Sequence, residues 1–427
     1  MDGFPDMTAQ LNAADKAILA LADPNVVINA LSRFRAQACP PWLPAAHPYP
    51  DGAPPAGAAA FAAVSGADML EIIAVRGPLH AIDGWSYLGR AFSSLLSGQA
   101  HAARHLSYYA ELRAALSILA SSGIGVFNRR NAAIDAAGVV HIMSPHTTHD
   151  MAWLALVEWS VDSSSLERLI KPIRLAGASL LDPFREFFPA QASTVAGELM
   201  TEWGFDLQQG AVDRDQRNWS SYQPTALGPL LTTPEQDSAF LRMFWNACRP
   251  NGVELERHLL RILLEREARS HGLELYEYPH SHARLQESTK AVVPFDFLTR
   301  VNEPVDHDFL IQLANRELPA PPYPMMCRAG LLLTLATGMA EENLRAAGVQ
   351  PVDHFNNWWQ EFGVNHGLWR PGQPPATTSD LWDDIDVALE ESAGAPTGHR
   401  HEWLSKLAGN AMRMCETERV ALWGLFQ

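Results

Sequence analysis

A short polar segment of this 427-residue chain combines side chains that could bind and process a phosphate group. The segment 213–222 reads DRDQRNWSSY, and we expect it to lie in a polar connection between two helices. The Arg217 guanidinium can hold two phosphate oxygens through parallel hydrogen bonds, and Asn218 could orient such a site. Tyr222 is a weak base at neutral pH, but its side chain can donate a hydrogen bond or stack on a nucleobase. Arg217, Asn218 and Tyr222 are therefore the candidate catalytic residues.

The spacing Arg217-Asn218-x-x-x-Tyr222 resembles the Arg-polar-x-x-x-His signature of HEPN domains. These domains are all-helical and are similar to toxin ribonucleases, CRISPR-associated ribonucleases and anti-phage effectors. The resemblance, which covers residues 80–270, implies a metal-free site in which Arg and His come from two protomers. It implies that Arg217 holds the scissile phosphate while the RNA 2′-hydroxyl attacks. Tyr222 stands where the family has the His that supports proton transfer.

Two function hypotheses follow, together with a purely structural alternative. The first is a helical interaction or accessory subunit of a prokaryotic anti-phage defence system, which is not catalytic on its own. Its partner would be another protein subunit or a second copy of the chain. The second is a HEPN-type, metal-independent ribonuclease or RNA-binding effector, so the sequence leaves open whether the protein is an enzyme. In the structural alternative, Arg217 is buried against Asp213 or Asp215 and serves only the fold.

A locally basic region precedes this segment. It contains Arg104, Arg113 and Arg130, which we predict to bind substrate, possible RNA included, at a local basic patch. His101 and His105 lie one helical turn apart and could chelate a metal ion, but a solvated histidine pair is the favoured interpretation. We therefore predict no metal and no cofactor.

A second Arg-x4-His spacing occurs at Arg266 and His271. Cationic side chains are typical of the last turn of a helix, where they interact favourably with the helix dipole. Gly272 follows as a helix stop. We therefore interpret this second motif as structural.

Composition restricts the class of protein further. Hydrophobic residues make up 47% of the chain and charged residues 19%, which is typical of a globular protein. The formal net charge of −16 disfavours phosphate-backbone binding over the whole surface, so any RNA site must be local. The P-loop, Rossmann, zinc-protease and nucleophile-elbow signatures are missing. The four cysteines are scattered along the sequence, which is typical of a protein in a reducing cytoplasm. We see no signal-like N-terminus and no membrane-spanning stretch, so we predict a cytoplasmic protein without membrane contact.

The hydrophobic pattern predicts a mainly α fold, a multi-helix bundle with a small inserted β-hairpin and a helical C-terminal region. Residues 83–122 form the strongest pattern, two antiparallel helices that begin at an Asp83 cap and turn at Ser97-Gly98. Seven large apolar side chains should pack between them: Trp85, Leu88, Phe92, Leu95, Leu112, Leu116 and Leu119. Strands at 131–135 and 139–143 should pair around a tight turn at Gly138.

Further helices are predicted from caps and periodicity. Capping boxes are expected at Ser164 with Glu167 and at Thr233 with Gln236. The other predicted helices cover residues 8–36, 151–159, 193–207, 253–270 (with an ion pair between Glu265 and Arg269), 325–339, 352–362, 379–391 and 402–425. We predict domain boundaries at residues 58 and 275. The many tryptophans are expected in the core, or alternatively on a surface that recognises another protein chain.

Overall fold

The computed structural model describes residues 10–34, 43, 46–187, 195–222, 231–249, 252–274, 283, 285–316, 321–350, 356–374, 381–393, 399–407 and 409–425. Within these residues there are 21 α-helices and five short strands, which confirms the mainly α fold. The helices are α1 (Ala13–Leu19), α2 (Pro24–Leu31), α3 (Ala58–Ala62), α4 (Gly66–Leu96), α5 (Ala100–Ser121), α6 (Thr148–Ser160), α7 (Ser163–Ile170), α8 (Leu181–Phe187), α9 (Ala196–Glu202), α10 (Gln209–Tyr222), α11 (Pro234–Ala247), α12 (Glu254–Ser270), α13 (Glu287–Val292), α14 (Phe295–Leu298), α15 (Asp308–Ala314), α16 (Tyr323–Ala346), α17 (Asn356–Asn365), α18 (Asp383–Ala393), α19 (Arg400–Leu407), α20 (Gly409–Arg413) and α21 (Glu418–Leu425). Among the described residues, no helix combines the length and the apolar character needed to cross a bilayer.

The antiparallel pair α4–α5 forms the centre of the fold, as the apolar spacing predicted. Gly98 makes the turn between them with φ +79°, a conformation that glycine adopts without steric strain. All seven apolar residues predicted for this interface are buried in one hydrophobic cluster. Helix α4 is much longer than predicted, because it begins at Gly66 rather than after Asp83. Ser65 caps it, since its Oγ accepts a hydrogen bond from the Asp68 backbone N–H at 3.1 Å.

The early turns of α4 were missed because they contain Gly77 and Pro78, which usually interrupt a helix. Here Gly77 permits a close approach to α5. A Cβ at this position would lie 2.7 Å from Ser121 Oγ, and Ser117 Oγ donates a hydrogen bond to the Gly77 carbonyl at 2.7 Å. Close packing against the neighbouring helix therefore outweighs the low helix propensity of this pair.

Helix α16 lies against both α4 and α5 and is mostly buried, as predicted for residues 325–339. Trp85 of α4 is fully buried, and its Nε1 donates a hydrogen bond to Thr337 Oγ1 at 2.9 Å. Gly84 faces Leu333 so closely that a Cβ would lie 2.4 Å from Leu333 Cδ2. The three helices form the frame on which the other elements pack.

The predicted hairpin is confirmed, and it carries one strand more than expected. Strands β2 (Asn131–Ile134) and β3 (Val140–Met143) pair antiparallel, with Ala132 opposite Ile142. Strand β1 (Ile124–Val126), which was not predicted, pairs with the other edge of β2. Gly138 has φ +78° in the turn. A separate two-stranded sheet joins β4 (Arg174–Leu175) and β5 (Ala178–Ser179).

One of the two predicted capping boxes is present. Thr233 Oγ1 accepts from the Gln236 backbone N–H at 3.3 Å, and Gln236 Oε1 accepts from the Thr233 N–H at 2.9 Å. The box at Ser164 is wrong. Asp162 caps α7 instead, and its Oδ1 accepts from the Ser164 backbone N–H at 2.7 Å. A carboxylate two residues earlier is an equally good cap and moves the helix start.

The predicted pair of Glu265 with Arg269 is also wrong, because both side chains find partners on other elements. Glu265 Oε1 binds Arg300 Nε at 2.6 Å, while Arg269 Nη2 binds Glu202 Oε2 at 2.9 Å. Tertiary ion pairs have replaced the weak pair within α12.

A single hydrophobic cluster runs from Leu11 through Trp85 to Leu422 and so includes residues of all three predicted domains. The boundaries at 58 and 275 remain predictions, and residues 275–282 lie outside the described part. So do parts of five predicted helices, at residues 8–9, 35–36, 193–194, 352–355, 379–380 and 408. Four tryptophans are fully buried, which agrees with the core interpretation: Trp85, Trp203, Trp245 and Trp403.

Candidate anion-binding site

The segment 213–222 belongs to helix α10, which corrects the prediction of a polar connection between helices. Gln209, Asp213 and Arg217 follow one another at intervals of four residues and form a buried stripe that packs against α5. A helix usually shows itself in a sequence by apolar residues at this interval. Because the buried stripe of α10 is polar, the hydrophobic pattern did not indicate the helix.

Asp213 is fully buried and is held by an arginine from α16. Arg328 Nε binds Asp213 Oδ2 and Arg328 Nη2 binds Oδ1, both at 2.7 Å, in a two-point ion pair. Glu111 of α5 lies on the other side, with its Oε1 3.5 Å from Arg328 Nε. Burial raises the pKa of the Glu111 carboxyl well above its ordinary value, and the charge of Asp213 adds to this effect. The cluster thus contains one guanidinium, the Asp213 carboxyl group that it binds at two points, and a second carboxyl group, Glu111, that favours its protonated form.

Arg217 lies one turn further along α10 and is only 8% exposed. Its guanidinium carbon is 5.1 Å from the Tyr108 ring centroid and 5.5 Å from that of Tyr109. Its Nε is buried without a hydrogen-bond partner, and no hydrogen bond or ion pair joins the Arg217 guanidinium to any residue that the structure describes. The structural alternative expects Asp213 or Asp215 to pair with Arg217, but neither does so in the described part of the chain. Asp213 binds Arg328, and Asp215 lies 3.5 Å from Arg214.

Three elements surround this guanidinium with polar side chains. We define the Arg217 site by residues of α5, α6 and α10: Arg104, His105, Tyr108, His149, Arg217 and Ser221. His105 Nδ1 lies 2.6 Å from Ser221 Oγ, and His149 Nδ1 lies 2.9 Å from the Tyr108 hydroxyl. Arg104 Nη1 donates to the hydroxyl of Ser220 at 3.0 Å.

Both histidines of the Arg217 site are held in the neutral state at pH 7. Burial lowers the pKa of His105 and of His149, and the positive charge of Arg217 lowers each of them further. A neutral imidazole has one nitrogen that accepts and one that donates a hydrogen bond. The site therefore offers a fixed cation, two imidazoles and a hydroxyl, which together can bind an oxyanion and accept a proton.

The predicted catalytic group is not assembled as the motif suggested. Asn218 is half-buried and Tyr222 is 77% exposed. Five residues along an α-helix correspond to a rotation of about 140° beyond one full turn, so Tyr222 points away from Arg217. The histidines of α5 and α6 occupy the position next to Arg217 that the motif assigned to residue 222.

Of the three predicted substrate-binding arginines, only Arg104 belongs to the Arg217 site. Arg113 binds Asp83, with 2.7 Å between Nε and Oδ2. Arg130 Nη1 donates to the backbone carbonyl of Pro54 at 3.3 Å. Arg113 and Arg130 therefore help to fix the α4–α5 pair and the loop that precedes it.

The outer edge of the Arg217 site carries exposed aromatic side chains. Trp219 is 50% exposed, and its ring centroid lies 5.2 Å from that of His101. Tyr222 is exposed one turn later on α10. Flat π-surfaces beside a cationic site are typical of surfaces on which nucleobases stack.

The described residues contain no cluster of three or more side chains that could hold a metal ion. His101 and His105 are instead engaged with Arg104 and Ser221, respectively. In the second Arg-x4-His motif, Arg266 Nη2 binds Glu198 Oε2 at 2.7 Å, in line with its structural interpretation.

One sequence signal for this site is independent of the Arg217-Asn218-x-x-x-Tyr222 motif. His101, Arg104, His105 and Tyr108 are spaced by three, four and seven residues from the first, so they share one face of a helix. The contribution of His149 depends on tertiary packing and carries no local signal.

No protein-family model matches the chain, and neither curated proteins nor solved structures gave a match.

Proposed function

We propose that the protein is a helical accessory protein that binds phosphate groups of single-stranded RNA at the Arg217 site. The observation that carries this proposal is the buried Arg217 guanidinium, which has no acidic or carbonyl partner in the described part of the chain. Burial of an unpaired charge is unfavourable, and a phosphate supplies the missing acceptor in the two-point geometry that a guanidinium prefers.

Several neighbours favour RNA among phosphate-bearing ligands. Arg104 and two neutral imidazoles add hydrogen-bond donors beside Arg217. The exposed rings of Trp219 and Tyr222 could stack on bases that follow the bound phosphate. The chain as a whole carries a net charge of −16, so RNA binding must depend on Arg217 and Arg104 at the site rather than on long-range electrostatic attraction.

The experiment compares Arg217→Ala with the wild-type protein in fluorescence anisotropy titrations of a labelled single-stranded RNA of about ten nucleotides. Loss of one charge-assisted contact should weaken binding by roughly 10- to 100-fold. Arg185→Ala is the matched control, because Arg185 is exposed and forms a surface ion pair with Glu167. Equal affinities of Arg217→Ala and the wild-type protein would refute the proposal, as would an equal loss in Arg185→Ala.

Thermal unfolding of the same variant separates binding from folding. Because no ion pair joins Arg217 to the described residues, its replacement should cost only its packing on Tyr108 and Tyr109 and lower the melting temperature by about 2–4 °C. If Arg217→Ala lost stability without a binding defect, the guanidinium would serve the fold alone.

Metal-independent RNA cleavage is a second candidate, favoured by the neutral state of His105 and His149. One imidazole could accept the proton of a 2′-hydroxyl as that oxygen bonds to the phosphorus and the bond from phosphorus to the 5′-oxygen breaks. The imidazolium so formed would return the proton to the leaving 5′-oxygen, while Arg217 stabilises the charge on the phosphate. Incubation of RNA with a metal chelator should then give cleavage that His105→Ala and His149→Ala abolish. His141→Ala is the control, since His141 binds Asp135 in the β-hairpin. If the wild-type protein leaves RNA intact under these conditions, the function is binding alone.

The proposed place of this protein in an anti-phage defence system rests on the resemblance of residues 217–222 to the HEPN signature. A partner subunit or a second copy of the chain would complete such a site. Size-exclusion chromatography with and without RNA tests whether the chain forms a dimer; a protein that stays monomeric with RNA bound would contradict the two-protomer arrangement.

A further inference from the structure

The central helix α16 is covered along most of its length, but one stripe of it opens onto a cavity. Thr334 is exposed and Gly338 is half-buried, although the residues around them are buried. The cavity has a volume of about 180 Å³, and its other walls come from α12, α21 and the segment 172–177. Thr334 therefore lies where the cavity meets the solvent.

The walls of this cavity are mostly aliphatic. Six large apolar side chains line it: Ile173, Leu255, Leu259, Leu331, Leu335 and Val420. A cavity of about 150 Å³ with leucine and isoleucine walls stays dry and accepts a benzene ring. The volume and lining here are therefore suited to one six-membered ring.

Five charged residues also line the cavity, and four of them are paired. Arg345 binds Glu341, Arg174 Nη2 lies 3.3 Å from Glu342 Oε1, and Arg249 Nη2 lies 3.4 Å from Asp386 Oδ2. The fifth, Glu256, has no side-chain partner in the described part of the chain.

Glu256 therefore supplies the unmatched group of the cavity. Among the described residues, no side chain donates a hydrogen bond to its carboxyl, which interacts with its own backbone N–H. Partial burial raises the pKa of Glu256 to about 8, and the nearby charge of Glu254 contributes to the shift. A half-buried carboxyl without a side-chain partner is stabilised as the carboxylate when a cation binds beside it.

We propose that this cavity binds a small cyclic amine, with its ring between the leucine side chains and its ammonium group on the Glu256 carboxylate. The occupant is cationic because the arginines that line the cavity already have acidic partners, and because a bound ammonium group lowers the pKa of Glu256 and so favours its carboxylate form. This site is independent of the Arg217 site, and neither proposal depends on the other.

Benzylamine is the probe, and isothermal titration calorimetry on the full-length protein is the measurement. Benzyl alcohol and benzoate have the same ring with a neutral and an anionic group, respectively. We expect benzylamine to bind at least about tenfold more tightly than benzyl alcohol, because only the ammonium forms an ion pair. Benzoate should not bind. Equal binding of the alcohol, preferred binding of benzoate or no binding of benzylamine would each overturn the proposal.

Two variants assign the binding to this cavity. Glu256→Gln keeps the size of the side chain and should reduce the benzylamine affinity to that of benzyl alcohol. Thr334→Trp places a large ring at the exposed mouth and should abolish binding of all probes without disturbing buried packing. Glu402→Gln is the matched control, since Glu402 lies on the surface of α19 away from the cavity and pairs with Lys406 at 2.9 Å. An unchanged affinity in both Glu256→Gln and Thr334→Trp would overturn the proposal.

Discussion

The buried cluster of Glu111, Asp213 and Arg328 allows a quantitative prediction, which is that Glu111 can replace Asp213 as the partner of Arg328. Arg328 is bound to Asp213 at 2.7 Å through two contacts, whereas Glu111 stands 3.5 Å from the Arg328 Nε. Burial raises the pKa of Glu111, and Arg328 already pairs with Asp213, so Glu111 is the carboxyl that favours its protonated form. If Asp213 is neutralised, Glu111 can ionise and take over the pairing with Arg328.

The expected free energies follow from this exchange. Glu111→Gln should not lower the free energy of unfolding at pH 7, because it keeps a polar group of the same size and removes the cost of holding the buried carboxyl protonated above the pKa of the unfolded chain. Asp213→Asn should cost about 1–2 kcal/mol, since the longer Glu111 contact replaces a two-point pair. The double variant leaves Arg328 buried without a carboxylate and should cost about 3–5 kcal/mol. The two substitutions are therefore coupled by about 2 kcal/mol.

Urea unfolding at pH 7, followed by tryptophan fluorescence and circular dichroism, measures the four free energies. The pH dependence is a second readout. The unfolded Glu111 carboxyl loses its proton near pH 4, while the folded one retains it to higher pH, so the contribution of Glu111 to stability falls as pH rises above that value. Glu111→Gln should therefore gain stability relative to the wild-type protein as the pH rises above about 4. Strict additivity of the two substitutions, or a difference independent of pH, would refute the proposed neutral state of Glu111.

Two further substitutions test the frame that carries the site. Trp85→Ala should cost about 3–5 kcal/mol in urea unfolding, since it empties a fully buried position and leaves Thr337 without its donor; a loss similar to that of the half-exposed control Trp219→Ala would contradict this packing. Gly138→Val should cost about 1–2 kcal/mol from its positive φ alone, because no atom lies within 4 Å of the added Cβ. The neighbouring exposed residue gives the control Ala137→Val, and an equal effect in both variants would show that the φ of Gly138 is not the cause.

The parts of the fold that were predictable are those in which local signals and tertiary packing agree. In the second half of α4, Trp85 and Phe92 belong to an apolar stripe that also faces the core, so the pattern and the structure coincide. The Thr233 capping box is equally local, because its bonds lie within four residues. The first half of α4 was missed because Gly77 serves a contact with α5, and no local pattern indicates such a contact.

The candidate site was predictable only in part, for a related reason. Arg217 was singled out by its residue type, but its surroundings were assigned by proximity along the chain, which favoured Asn218 and Tyr222. In the structure its neighbours come from other helices, as Tyr108 and His149 do. A motif read along one segment cannot supply the residues that another helix contributes.

The two buried charges on successive turns of α10 show why Arg217 is the residue to test. Both Asp213 and Arg217 lie on the stripe that faces α5, and both are removed from solvent. The fold supplies Asp213 with two short bonds from Arg328, so its burial is compensated within the protein. Arg217 receives two tyrosine rings and no acceptor from the described residues. Helix α10 thus carries one buried charge, Asp213, that is paired within the protein, and a second, Arg217, that has no acceptor among the described residues. This difference favours an anionic ligand at Arg217. The RNA titration of Arg217→Ala measures that ligand directly.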